Sequence, residues 1–80
     1  MQDYYEAGIK LTPDGDSDYI WCQHHHRVFD RAVKCAVGIK RLNDDFPDSE
    51  MFIAPSDPRL TAYTFTIEDG KVRVNYEFGF

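Results

Sequence analysis

Three consecutive histidines, His24, His25 and His26, stand between two cysteines in CQHHHRVFDRAVKC, residues 22–35, and the chain holds no other histidine or cysteine. Thiolate and neutral imidazole are the donors of tetrahedral zinc sites, and a thiol beside an imidazole is also the core of cysteine-based nucleophilic catalysis. If residues 22–26 run extended, Cys22, His24 and His26 project to one side, because side chains alternate along a strand. Cys35, on a following helix, then supplies a fourth ligand. The spacing C-x-H-x-H-x8-C is not one of the usual zinc pairings. Spacing alone therefore favours a chain with no metal and no cofactor: the histidines mark a strand handing over to a helix, and Cys35 packs beside the core as a small apolar residue. Close to a helix N-terminus the dipole keeps such imidazoles neutral. A zinc domain built on Cys22, His24, His26 and Cys35 is the alternative.

Other chemistries have less to stand on. A Cys-His catalytic pair lacks any orienting third group or oxyanion element that the spacing defines. Asp14, Asp16 and Asp18 in DGDSD match the first three ligands of an EF-hand loop, but Tyr19 replaces the required glycine and His25 the bidentate glutamate. No glycine-rich loop cradles phosphate. The expectation is a chain without catalytic residues, not an enzyme.

The elements that position these residues are legible from periodicity. LTAYTFTIEDGKVRVNYEFGF has Asp69-Gly70 at its centre, the strongest short hairpin signal. A two-residue turn there pairs Ile67 with Val72, Phe65 with Val74, Tyr63 with Tyr76 and Thr61 with Phe78 on a core face. Glu68/Lys71, Thr66/Arg73, Thr64/Asn75 and Ala62/Glu77 fall on the other. Tyr5, Ala7, Ile9 and Leu11 alternate with Tyr4, Glu6, Gly8 and Lys10, which predicts a first strand. After the polar turn TPDGDSD, residues 19–23 (YIWCQ) predict a second strand hairpinned to it. Residues 26–43 carry a helical period, with Val28, Phe29, Ala32, Cys35, Ala36 and Ile39 on one face. Asn43 and Pro47 end it. MFIA (51–54) predicts a further strand or edge segment. The sum is an α+β domain over residues 1–80: an antiparallel sheet in the order β-β-α-β-β-β, with one amphipathic helix on one face. The other face of the sheet is left for water or a partner.

Eighty residues lie near the lower limit for a self-sufficient core, and six Phe, five Tyr and one Trp supply the bulk. The N-terminal MQDYYEAGIK has no basic stretch followed by an apolar run, so no secretion signal is expected. No apolar run reaches membrane-spanning length, and two cysteines without a secretion signal suit free thiols in a reducing compartment. These observations predict a cytoplasmic protein.

Charge is segregated within the net −5. Residues 21–42 hold five bases and one acid; residues 1–20 hold five acids and one base, and residues 43–80 eight acids and three bases. Arg27, Arg31, Lys34 and Arg41 line the helix opposite its apolar face, with Gly38 in the same stripe. This row is either a solvated helix face or a contact for phosphates or an acidic partner. Asp44, Asp45, Asp48 and Glu50 form an acidic stretch after the helix, which either aids solubility or competes for a basic groove. Overall acidity disfavours direct nucleic-acid binding by the chain as a whole.

Segments 4–11, 19–23, 26–42, 51–54, 60–67 and 72–78, two strands, a helix and three strands with a closing hairpin, resemble in layout several small phage-encoded anti-CRISPR and host-takeover proteins. That resemblance implies a stoichiometric protein binder that blocks a nucleoprotein complex, acting in the host cytoplasm. The expectation is thus a non-enzymatic inhibitor or adaptor. Its partner-binding residues would be Arg27, Arg31, Lys34, Arg41, Asp44, Asp45, Asp48 and Glu50, with Tyr4 or Tyr19 as aromatic anchors and a homodimer open through pairing of the two patches. A nucleic-acid-binding regulator using the basic helix is the other alternative.

Overall fold

Alternation along β1 (Tyr5–Lys10) puts Ala7 and Ile9 on one face of a sheet, and both are completely buried. The computed structural model describes residues 3–11, 18–57 and 59–78. Most of the polar turn after β1, with the calcium reading on Asp14 and Asp16, lies outside the described residues. Beyond β1 come β2 (Tyr19–Trp21), α1 (Phe29–Leu42), β3 (Glu50–Pro55), β4 (Ala62–Glu68) and β5 (Lys71–Phe78). The strands form one antiparallel sheet in the order β2-β1-β3-β4-β5. This is the expected α+β architecture. No helix among the described residues is long and apolar enough to cross a membrane.

β3 is a central strand rather than an edge segment, lying between β1 and β4. Its continuous apolar run suits burial on both faces: Met51 and Ile53 join the core under the helix, while Phe52 is fully buried on the reverse. α1 lies over β1 and β3. The buried Ala32 and Ala36 let its axis approach the sheet, and Phe29, Val33, Cys35 and Ile39 pack around them.

The helix starts at Phe29, three residues later than its period suggested. Val28 is the N-cap, extended at φ −105° and ψ 123°, and is 53% exposed rather than part of the core face. Its apolar side chain offers no capping hydrogen bond. The C-terminus behaves as expected: the Asn43 side-chain amide donates to the Ile39 carbonyl at 2.9 Å.

The closing hairpin turns at Asp69 and Gly70, both with positive φ (51° and 76°), as a type I′ turn requires. Pairing follows the predicted register from Glu68/Lys71 to Phe65/Val74 and then shifts: Thr64 pairs with Tyr76, Tyr63 with Glu77 and Ala62 with Phe78. Asn75 is the extra residue, a β-bulge. A one-residue slip sends every later side chain to the opposite face. Tyr76 and Phe78, expected on the core face, therefore lie on the reverse. There the Phe78 ring is 5.9 Å from Phe52, and Trp21 crosses Phe52 edge-on at 4.8 Å. The buried Lys10 reaches the Tyr76 hydroxyl at 3.3 Å and lies over the Tyr76 and Phe78 rings. The sheet face opposite the helix is thus roofed by the chain's own aromatics.

Gly38 has no such internal role. A Cβ built on it meets no atom within 4 Å among the described residues outside its own stretch of helix. Gly38→Ala is expected to stabilise the fold by about 1 kcal/mol, the helix-propensity difference. The check is a higher urea midpoint at unchanged slope; a lower midpoint would contradict the open space at this position.

Candidate metal centre

The candidate metal ligands meet where β2 departs from regular pairing. Gly8 pairs with Trp21 and Tyr5 bridges to His26, so β1 advances three positions while the opposite chain advances five. Two residues are extruded between firm anchors. The Cys22 amide donates to the Ala7 carbonyl at 2.7 Å. His26 and Tyr5 exchange two backbone bonds, of 3.0 and 2.7 Å. Residues 22–26 are consequently not the straight strand that alternation assumed.

His25 points away from the cysteines: its ring stacks on Tyr4 at 4.2 Å, and Nε2 lies 3.3 Å from a Glu6 carboxylate oxygen. His24 and His26 turn the other way. The Cys22 thiol sits among them, with Sγ 3.1 Å from His24 Nδ1, 3.0 Å from His26 Nε2 and 2.8 Å from Cys35 Sγ. Cys35 Sγ is 3.9 Å from His24 Nδ1. Because the helix starts late, Cys35 falls in its second turn, about 9 Å along the axis from Phe29, and so reaches the junction.

All four donor atoms lie within 4.8 Å of one another. A tetrahedron with Zn–S of about 2.3 Å and Zn–N of about 2.0 Å has edges of about 3.3–3.8 Å. The observed separations bracket those edges, so seating a zinc ion takes shifts of the order of 1 Å. Mixed thiolate and imidazole donors suit zinc among the divalent metals. Four protein ligands fill a tetrahedron and leave no position for substrate or activated water.

Burial and charge agree with that donor set. Burial, the His24 ring and Arg31 together hold His26 below the ordinary imidazole range, leaving it neutral with its lone pair available. Burial and the Cys22 thiol push Cys35 up to about 11. Without metal it is a protonated thiol donating to Cys22 Sγ. A metal must displace that proton, which makes binding weaker as pH falls. Cys22 is buried, Cys35 and His26 are half-buried, and His24 is exposed, giving an ion a route in from solvent.

Of the expected partner-binding residues, Arg27, Arg31, Lys34 and Arg41 are exposed, and none forms an ion pair among the described residues. Asp44, Asp45 and Asp48 are exposed in the turns after α1. Glu50 is set apart from them: it is half-buried in β3, paired in register with Lys10. Neither proposed aromatic anchor stands free, since Tyr4 stacks on His25 and Tyr19 packs against Trp21, Phe52 and Phe78. Alternation along the chain missed two features, the extruded loop and the bulge at Asn75; only the cross-strand partners reveal them. Comparison with family models, curated proteins and solved structures finds no match to this chain.

Proposed function

We propose that this chain is a zinc-binding domain whose metal has a structural role, clamping the β2–α1 junction to the helix. The convergence of the Cys22, His24, His26 and Cys35 donor atoms carries the reading. The closed ligand set argues for a scaffold rather than a metalloenzyme. Protein purified from zinc-supplemented growth should contain one zinc per chain by elemental analysis. Cobalt substitution should give the intense visible bands of a tetrahedral thiolate site. Metal that is substoichiometric and lost on dialysis, with no such bands, would sink the proposal.

What the scaffold presents is a surface for a protein partner, in keeping with a non-enzymatic adaptor or inhibitor. The observation favouring this second reading is the row Arg27, Arg31, Lys34 and Arg41, exposed and without ion pairs among the described residues.

A further inference from the structure

A helix about 10 Å across covers roughly two strands spaced about 4.8 Å apart. α1 lies over β1 and β3, and the core it caps reaches β4 only as far as the buried Phe65, so among the described residues the strip of the β4–β5 hairpin beyond Phe65 is only partly covered. Ile67 (37% exposed), Val72 and Val74 (53% exposed) stand along that strip. Two adjoining clefts, of about 560 and 640 Å³, run between the strip and α1 and share Val37, Arg41 and Ile67. Gly38 lines one of them, and no described residue outside its own stretch of helix uses the space its missing side chain leaves. A glycine tolerated mid-helix at about 1 kcal/mol, with no internal packing reason, is suited to close approach by something from outside.

We propose that this trough seats one amphipathic helix of a protein partner, with an apolar, small-residue stripe and acidic residues along its flank. Charge selects that occupant. Lys34 and Arg41 stand on the rim without ion pairs among the described residues, Asp30 lies at its N-terminal end and Asp44 just beyond Arg41. From Asp30 to Arg41 the rim runs about 17 Å, three turns of a docked helix. An apolar floor with a charged rim is the form of helix-in-groove recognition. Strand addition at β5 is the weaker fit, because the bulge at Asn75 breaks the ladder of that edge. A second copy fits less well too: α1 is the only helix among the described residues, and its exposed face is cationic, so like charges would meet.

The test uses the protein as purified and two synthetic peptides of about 18 residues, long enough to hold helix. They share one Leu/Ala stripe, and their polar faces are either all Glu or all Lys. Backbone NMR titration should show saturable shifts at Val37, Gly38, Arg41, Ile67 and Val72 with the Glu peptide only. Gly38→Leu, which fills the trough, and Arg41→Glu should each weaken binding at least about tenfold, the size of an interface hot spot, with an unfolding midpoint no lower than that of the wild type. The proposal is overturned if neither peptide saturates, if both bind alike, or if the shifts map elsewhere. Concentration-dependent shifts at these residues without peptide would also overturn it, naming a second copy as the occupant.

Discussion

If zinc occupies the proposed site, chelating it from the folded protein is expected to lower the thermal midpoint by about 16–32 °C. A ligand present at about a thousand times its dissociation constant stabilises a fold by about 4 kcal/mol. Each kcal/mol moves the midpoint of a domain this size by about 4–8 °C. That loss is large beside the few kcal/mol an eighty-residue core can supply. Cys22→Ser should show the same fall and then be indifferent to chelator, because the buried ligand on which the other three converge is gone. His25→Ala is the control: it loses an exposed contact to Glu6 and a stack on Tyr4, about 1 kcal/mol together, and should keep its metal. Differential scanning calorimetry with and without chelator on the three proteins decides the matter. Equal wild-type midpoints in both buffers would remove the structural role for zinc.

The ligands of that site were readable as residue types, while their convergence was not. Alternation across residues 22–26 aims Cys22, His24 and His26 to one side only if the segment is straight. The two residues extruded opposite Tyr5–Gly8 depend on the partner strand, which no local pattern encodes. The same limit applies to the hairpin. Asp69-Gly70 set the register as far as Phe65/Val74, and the bulge at Asn75 then moved Tyr76 and Phe78 to the reverse face. Element order, the Asn43 stop and the Ala7/Ile9 core follow from local chemistry, namely period, capping and turn preference, and all three agree with the structure. Both departures lie where one strand advances further than its neighbour. One builds the candidate metal centre and the other closes the aromatic roof.

Gly8→Ala is expected to cost about 3 kcal/mol, at the upper end of overpacking effects. In the sequence Gly8 occupies an ordinary alternating position of β1, with nothing to set it apart. In the sheet it lies between Trp21 of β2 and Phe52 of β3, whose rings cross edge-on above it. A methyl group there runs into the Ile20 backbone carbonyl and meets the Phe52 ring at 3.1 Å. The ring can shift a few tenths of an ångström, but the carbonyl belongs to the β1–β2 ladder and moves only if β2 moves. Backbone φ is not positive at Gly8, so the requirement for glycine is one of space rather than of conformation. Cys22 lies two residues beyond Ile20 and is anchored to the Ala7 carbonyl. Displacing β2 therefore disturbs the candidate metal ligands as well as the sheet. Urea unfolding should show the midpoint falling at constant slope, and zinc competition with a chromophoric chelator should show weaker retention of the metal. Gly38→Ala, also a methyl added to a glycine, should move stability the opposite way because open space surrounds it. A Gly8→Ala protein within about 1 kcal/mol of wild type, below the usual range for overpacking, would mean that β2 yields without cost and that the close approach at Ile20 does not constrain the fold.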